Sequence, residues 1–151
     1  MDIGSGSGFP SASLSNFAPH PFFIDGVLCN SMEGFLQSLK FQNPEMQEEV
    51  CKLVGKQAKF KGKKKKWWKT QTLFWRGESF ARDSLEYQML LDRAFLALAQ
   101  NMSFRNALLA TGSAVLTHSI GKNKIEETVL TRQEFCSRLI KLRDRIKRGE
   151  I

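Results

Sequence analysis

The chain has 151 residues, of which 42% are hydrophobic and 25% charged, and its formal net charge is +8. This length fits one domain with a continuous core, so we predict a single domain over residues 1–151. No apolar run approaches the roughly 20 residues of a membrane helix and no signal-peptide pattern is present, which indicates a cytoplasmic protein with no membrane partner. Three widely spaced cysteines argue against a disulfide framework and a zinc site. We expect no metal and no cofactor.

The first elements are expected to be a flexible end, a hairpin and a helix. Residues 4–8 read Gly-Ser-Gly-Ser-Gly, and we favour a flexible end over residues 1–8 above a phosphate-binding nest. The pair Asp25-Gly26 between two short apolar segments predicts a type I′ hairpin. From Asn30 the apolar spacing becomes helical, with Asn30 or Ser31 as the cap.

The rest of the chain predicts more helices and a second hairpin. Capping residues mark helix starts, and glycines mark several ends: the predicted segments are 43–55, 83–98, 103–112 and 131–149, with Asn43, Asp83, Ser103 and Thr131 as caps. Residues 72–75 look extended, and Arg76-Gly77-Glu78 is expected to turn the chain into a second short strand around Phe80. We therefore predict an α+β fold that is predominantly α-helical, with short β-hairpin elements.

The helix that begins near Asn30 has a polar line beside its apolar stripe. Glu33, Gln37 and Lys40 fall at i, i+4 and i+7, so a carboxylate, an amide and an ammonium share one edge. The spacing also allows Glu33 to complete a capping box on Asn30, with Lys40 as a surface lysine. From spacing alone, this purely structural explanation is favoured.

Residues 56–69 concentrate positive charge, with eight lysines, and Trp67-Trp68 lie among them. Aromatic faces stack on bases and lysines bind phosphates, so a nucleotide or nucleic-acid site is one explanation. A core tryptophan among solvated lysines explains the pattern equally well. His20 and His118 are the only histidines, and neither has the spacing of a catalytic triad or a metal site.

Several sequence blocks resemble the NADAR, or YbiA-like, N-glycosidase family. Those near the start are Leu14-Ser15-Asn16-Phe17, the segment around Asp25-Gly26, and residues 31–40, which are similar to the family pattern S-V-E-H-x-x-Q-x-x-K. Later parts of the family pattern look like Ala58-Lys59-x-x-Gly62, Trp67, Phe95 and residues 108–112. The resemblance covers most of the chain.

This resemblance implies a compact, helix-rich fold and a pocket for an ADP-ribose-like, NAD-type or ribose-phosphate compound. Family members cleave the N-glycosidic bond of a riboflavin-pathway intermediate or remove ADP-ribose from guanine in nucleic acid. By resemblance, Glu33 and Lys40 are catalytic residues, and Asn16 and Phe17 line the pocket. The remaining substrate-binding residues on these segments are Gln37, Lys59 and Trp67 or Trp68, one of which would be the stacking ring. The expected activity is hydrolysis of a C1′–N bond.

The sequence departs from the family pattern in two places. Gly34 stands where the family has a histidine, and residues 117–123 replace an acidic residue and a W-G-x-G stretch. Either His118 and Asn123 take over, with Glu126 or Glu127 near them, or the protein binds or senses a nucleotide without turning it over. A third alternative is a basic nucleic-acid-binding module. It is compatible with N-glycosidase activity if the substrate is a modified base in a polynucleotide. The sequence makes no prediction of oligomeric state.

Overall fold

The computed structural model describes all residues from Met1 to Ile151. It has seven α-helices and two separate antiparallel hairpins, which confirms the predicted α+β fold. The helices are α1 (Ser11–Leu14), α2 (Met32–Ser38), α3 (Pro44–Cys51), α4 (Gly55–Lys63), α5 (Leu85–Leu98), α6 (Met102–Ala110) and α7 (Arg132–Lys147). The strands are β1 (Phe22–Ile24), β2 (Val27–Cys29), β3 (Thr72–Trp75) and β4 (Glu78–Ala81). None of the helices has the length and apolar character needed to cross a membrane.

Both predicted hairpins form, the first at its predicted two-residue turn and the second at Arg76-Gly77 alone, since Glu78 is already the first residue of β4. Asp25 and Gly26 have φ angles of 50° and 78°, and Arg76 and Gly77 have φ angles of 48° and 90°. Positive φ at both central residues is the requirement of a type I′ turn, whose twist matches that of the flanking strands. β1 pairs with β2, and β3 pairs with β4, in antiparallel register. Local sequence therefore determines both hairpins.

Helix α2 is capped by Ser31, whereas a capping box with Glu33 would need Asn30 as the cap. Ser31 is the N-cap, and its hydroxyl accepts a hydrogen bond from the Gly34 N–H at 3.0 Å. The third helical position is therefore Gly34, whereas Glu33 is second and its carboxylate bonds elsewhere. The capping-box explanation of Glu33 on Asn30 is wrong.

Helix α4 corrects the prediction that Gly55 ends a helix. Helix α3 ends at Cys51, and Gly55, with φ +54°, begins α4, which continues through the first half of the lysine-rich segment. Its inward positions are only Ala58 and Gly62, which are too small to give an apolar stripe in the sequence. This helix was missed because its buried side is nearly without side chains.

The later helices have the predicted positions with two shifted caps. α5 is capped by Ser84 rather than Asp83, because the Ser84 hydroxyl accepts from the Tyr87 N–H at 3.1 Å. α6 is capped by Asn101 rather than Ser103, through a bond from the Phe104 N–H. The capping box of α7 is confirmed on Thr131.

One continuous core joins these elements. Helix α5 contributes Tyr87, Leu91, Ala94, Phe95 and Leu98, which recur at helical spacing and are all buried. The core continues through both hairpins and into α7. Burial of this kind is the main source of folding free energy in a domain of this size.

Residues 1–3 lie against the segment that follows α6. Ile3 is fully buried, its N–H donates to the Thr117 carbonyl at 2.8 Å, and the Thr117 N–H donates to the Met1 carbonyl at 2.9 Å. The Asp2 carboxylate accepts bonds from Thr117 and Ser119. Residues 1–3 thus belong to the packed domain, and flexibility of the Gly-Ser segment after them stays a prediction.

Candidate active site

A pocket of about 500 Å³ opens between segments that are far apart in the sequence. Its lining comes from the loop after α1, from α2, from α4 and the turn after it, from residues 118–122, and from residues 127–135. Of the ten residues predicted as functional, eight line this pocket: Asn16, Phe17, Glu33, Gln37, Lys40, Lys59, Trp67 and His118. Trp68 and Asn123 do not line it.

Glu33 lies on the pocket side of α2 and is half-buried. Gln37, one turn later, donates from Nε2 to Oε2 of Glu33 at 2.7 Å, and the backbone N–H of Glu33 donates to the Asn16 carbonyl at 3.0 Å. Burial raises the pKa of the Glu33 carboxyl, against the opposing effects of the Gln37 hydrogen bond and of the charges of Lys40 and Lys59. A carboxyl with a raised pKa in a pocket is suited to accept or donate a proton near neutral pH.

Gln37 is held in place by an unusually close approach of α4. A Cβ atom at Gly62 would lie 1.8 Å from Oε1 of Gln37, so no larger residue fits there while Gln37 keeps its position. Oε1 itself is buried without a hydrogen-bond partner. The Gln37 side chain therefore makes one hydrogen bond, which is to the Glu33 carboxylate.

Lys40 lies two turns after Glu33 and lines the same pocket. Burial lowers its pKa to about 8, opposed by the carboxylate of Glu33 and reinforced by the charges of Lys122 and Lys59. A lysine in this range is still largely protonated at neutral pH, and it loses its charge more readily than a surface lysine. The three residues of the predicted polar line therefore face one pocket, with a hydrogen bond between Glu33 and Gln37 and a charge interaction between Glu33 and Lys40.

The lysine-rich segment contributes both charge and an aromatic wall. Lys59 and Lys63 line the pocket from α4, and Trp67 lines it from a short 3₁₀ turn at 67–69. Trp67 is 7% exposed, whereas Trp68 is 53% exposed and points away from the pocket, with Lys69 Nζ 5.8 Å from its ring centroid. The structure therefore assigns Trp67, and not Trp68, to the pocket, a choice that the sequence left open. Lys63 is a pocket residue that the sequence did not single out.

His118 lines the pocket from the segment after α6, whereas Asn123 lines a separate surface hollow beside α7. The Nδ1 atom of His118 lies 2.8 Å from the Ile3 carbonyl oxygen. Of the two acids expected nearby, Glu127 lines the pocket, but Glu126 does not. The spacing of residues 117–127 could not decide this, because no regular element fixes which side chains face inward.

Residues 128–130 form a further part of the wall that sequence reasoning missed. The buried guanidinium of Arg82 donates from Nε to the Thr128 carbonyl at 2.8 Å and forms a bidentate pair with the Glu134 carboxylate. The Tyr87 hydroxyl donates to the Val129 carbonyl at 2.6 Å. This network fixes the wall from behind, without entering the pocket.

The charges of the pocket suit an anionic ligand. Four lysines line it, at positions 40, 59, 63 and 122, against two glutamates, 33 and 127. Lysines bind phosphate as point charges, and the face of a partly buried tryptophan can stack on a planar ring. No group of three or more His, Cys, Asp or Glu side chains is arranged to hold a metal ion.

Comparison with known proteins identifies relatives of the sequence and of the fold. The sequence pattern of the family described as "Bacteriophage protein GP30.3" matches residues 8–144. The chain is 40% identical over 149 residues to an uncharacterized 17.1 kDa protein in the Gp30-rIII intergenic region of Enterobacteria phage T4, covering 95% of this chain and 97% of that relative. The NMR structure of the E. coli protein YbiA is similar with a TM-score of 0.64 at 20% identity, over 99% of this chain and 86% of YbiA.

These matches agree with the sequence resemblance stated above. The similarity to YbiA extends over nearly the whole chain and confirms the expected YbiA-like fold, while 20% identity supports a conclusion about the fold alone. The match to the phage family extends over most of the domain, including every residue of the pocket wall except Ser5. The chain belongs to the family of bacteriophage protein GP30.3 and has the NADAR-type, YbiA-like fold.

Proposed function

We propose that the protein is an N-glycosidase that hydrolyses the C1′–N bond of a phosphorylated riboside. The observation that carries this proposal is the Glu33 carboxyl, whose pKa is raised by burial, in a pocket lined by four lysines. Such a pocket attracts phosphate and at the same time presents the Glu33 carboxylate to the bound molecule. The resemblance of residues 31–40 to the NADAR helix adds to this geometry and names the same glutamate.

Glu33 would act on the water and on the charge that develops at the sugar. As the C1′–N bond breaks, C1′ becomes positively charged, and a nearby carboxylate stabilises that charge. The same carboxylate takes a proton from the water whose oxygen bonds to C1′. Gln37 keeps one carboxylate oxygen in a fixed position, so that the other is free to face the substrate.

The remaining pocket residues would bind and orient the substrate. Lys59 and Lys63 lie one turn apart on α4, on the side that faces the pocket, so a phosphate could contact both. Trp67 would supply a wall for the base or the second ring. Candidate substrates with these features are ADP-ribose attached to guanine and the ribosylamino-pyrimidine phosphate of riboflavin synthesis.

Base release by purified protein tests the proposal directly. Wild type is incubated with ADP-ribosylated guanosine and with the riboflavin-pathway intermediate, and the free base is measured by chromatography. Glu33→Gln should lower the rate at least about 100-fold, the usual contribution of a positioned base. The matched control is Glu49→Gln, an exposed glutamate on α3 that lies outside the pocket, and it should retain full activity. A Glu33→Gln protein as active as wild type would refute the mechanism.

The same samples separate hydrolysis from binding without turnover. If calorimetry detects tight ADP-ribose binding to wild type and no base is ever released, the protein is a nucleotide-sequestering or sensing protein. Whether the protein hydrolyses its ligand or only binds it, Lys59→Gln should weaken binding, because the lysine lines the pocket. Absence of both binding and release would remove both functions.

A second candidate function, nucleic-acid binding, is favoured by the distribution of charge. Residues 50–77 contain nine lysines, one arginine and no acid, while the rest of the chain has 13 basic and 15 acidic residues. The exposed side of this stretch also presents the rings of Phe60 and Trp68, which are 60% and 53% exposed. Lysines with exposed rings are the combination that binds single strands through phosphates and stacked bases.

Salt dependence and paired variants test this interface. Binding of a single-stranded oligonucleotide should weaken steeply as salt rises, because phosphate contacts release counterions. Replacing Lys61 and Lys64 by Gln should reduce both affinity and salt slope. Replacing Lys124 and Lys141 by Gln makes the same charge change away from the interface and should have a smaller effect. Salt-insensitive or absent binding would exclude this function.

A further inference from the structure

His118 is fixed in the pocket wall by contacts on three sides of its ring. Nδ1 lies 2.8 Å from the Ile3 carbonyl oxygen, and the ring meets Phe135 edge-on with centroids 5.1 Å apart. A Cβ atom at Gly121 would lie 2.6 Å from Cδ2 of His118, so a glycine is needed at that position for the ring to lie where it does. The imidazole therefore has a defined position relative to the pocket.

The Ile3 carbonyl also determines which ring nitrogen carries the exchangeable proton. A carbonyl oxygen can only accept a hydrogen bond, so Nδ1 must be the donor in both charge states of the ring. Nε2 makes no hydrogen bond within the protein, and it is the atom that gains or loses the proton. A half-buried ring in a pocket wall thus has its exchangeable proton on the nitrogen that the protein leaves unbound.

Residues 1–3 hold the backbone on both sides of His118. Ile3 pairs with Thr117, the residue before His118, through the Ile3 N–H. Ser119 is the residue after His118. Its backbone N–H and its hydroxyl donate to the Asp2 carboxylate at 2.8 and 2.6 Å. Composition predicts a flexible end over residues 1–8. That segment nevertheless includes Asp2 and Ile3, which position His118.

We propose that His118 is the proton donor to the departing base, and that residues Asp2 and Ile3 position it. This inference rests on the proposed N-glycosidase function. It assigns the second catalytic role, which the sequence left open between His118 and residues further along the chain. Among the pocket residues other than Glu33, His118 combines a fixed position with an imidazole ring, the side chain most often used as a general acid.

The two residues complete a balanced hydrolysis. The C1′–N bond breaks with its electron pair on the base nitrogen, and the base receives the Nε2 proton of the His118 imidazolium. Water oxygen bonds to C1′ while Glu33 takes one water proton. Glu33 then releases that proton to solvent and His118 regains one from solvent. One water is consumed, and both side chains return to their starting states.

Lys40 and Glu127 are less suited than His118 to donate the proton to the base. Lys40 has a pKa of about 8 and lies just beyond α2, the helix of Glu33, so its ammonium is suited to hold an anion or to keep Glu33 ionised. Glu127 is exposed, and no hydrogen bond fixes its carboxylate. Two groups with different surroundings in one pocket are the usual arrangement of an acid and a base.

His118→Asn is the decisive variant, because an asparagine amide can still donate to the Ile3 carbonyl while it removes Nε2. With the riboflavin-pathway intermediate or ADP-ribosylated guanosine as substrate, kcat should fall at least about 100-fold and KM should change less than about threefold. The matched control is His20→Gln. Nε2 of His20 bonds to the Ser13 carbonyl outside the pocket, and a glutamine amide can replace that bond. The control should keep wild-type kcat.

Two further measurements distinguish a proton donor from a structural ring. Imidazole should restore part of the activity of His118→Ala, whereas pyrrole, which has the same shape but no basic nitrogen, should not. The ¹⁵N chemical shifts of wild-type His118 should show a proton on Nδ1 in the neutral ring. A neutral ring protonated on Nε2 would overturn the positioning by Ile3, whether or not any substrate is turned over.

The outcomes separate this inference from the proposed function. If Glu33→Gln is inactive while His118→Asn keeps more than about a third of wild-type kcat, the role of His118 is refuted and the N-glycosidase remains. Equal rescue of His118→Ala by imidazole and pyrrole would reduce His118 to a structural ring. If wild type releases no base at all, the proposed function fails, and the proton-donor role fails with it.

Discussion

Glu33 and Glu134 are both half-buried carboxylates in the first turn of a helix, and their pKa values are shifted in opposite directions. At Glu33, burial raises the pKa, and a single side-chain hydrogen bond from Gln37 does not offset it. The lysines around Glu33 act through their charges, without a direct hydrogen bond. Glu33 is thus a carboxylate with unused hydrogen-bonding capacity, beside a pocket.

At Glu134, burial acts in the same direction, but it is outweighed by hydrogen-bond donors, and the pKa is lowered. Arg82 contributes a bidentate pair, and Gln88 and the Thr131 N–H contribute one bond each. The Arg82 side chain is 1% exposed, so the pair is removed from water on its cationic side. Glu134 joins β4, α5 and α7, and it has no free oxygen for chemistry.

The comparison shows how a fold uses the same side chain for stability or for reactivity. Where donors surround a carboxylate, its charged form is stabilised and the residue contributes to folding. Where donors are few, burial disfavours the charge, and the residue is available to bind a proton or a substrate.

Glu134→Gln should lower the free energy of unfolding by about 3 kcal/mol, because the buried guanidinium of Arg82 loses its countercharge. Urea unfolding followed by circular dichroism measures the loss. Glu33→Gln, the same chemical change in the other helix, should show no such loss. If the two variants were equally destabilised, the distinction between the two carboxylates would be wrong.

Gly34→Ala should destabilise the fold by about 1 to 3 kcal/mol, the usual cost of overpacking. A Cβ atom there would lie 2.6 Å from the Leu53 carbonyl oxygen and 2.8 Å from that of Cys51, and neither backbone atom can move freely. Gly8→Ala, where a Cβ meets nothing within 4 Å, is the matched control and should change stability little. A Gly34→Ala protein as stable as wild type would show that α2 and α3 can separate.

Glu33→Gln should raise the free energy of unfolding by about 0.5 to 1 kcal/mol at pH 7, because it removes a carboxylate whose charge is disfavoured by burial. The folded-state pKa of Glu33 lies above the unfolded value, so wild type loses stability as pH rises through this interval. The difference between variant and wild type should therefore vanish near pH 4. Urea unfolding at pH 4, 5.5 and 7 checks the sign, and a Glu33→Gln protein less stable than wild type at pH 7 would contradict it.

Affinity for ribose 5-phosphate should fall severalfold between pH 7 and pH 9, because Lys40, with a pKa of about 8, loses its charge in this range. The phosphate itself keeps a constant charge there, since its second pKa is about 6. Calorimetry with wild type and with Lys40→Met measures the effect, and the variant should show weaker binding that changes less with pH. Parallel pH profiles in the two proteins would exclude Lys40 as the titrating group.

Sequence determined the elements of this protein that depend on neighbouring residues. Asp25-Gly26 and Arg76-Gly77 define the two hairpins because their φ angles are positive, and Thr131 with Glu134 caps α7 because the partners are three residues apart. The polar edge of α2 followed from its spacing in the same way. These features need only the geometry of one strand, turn or helix.

Tertiary structure decided which side chains share the pocket. The cap at Ser31 excluded a capping role for Glu33, and α4 placed Lys59 and Lys63 at the pocket with Trp67 beside them. Residues 1–3 fixed the position of His118. Ile3 and His118, for example, are 115 residues apart in the chain. Local sequence is enough to specify the turns, the helix caps and the glutamate-bearing helix. The pocket required the whole fold, because its walls meet through packing of distant segments rather than through the periodicity of any one of them.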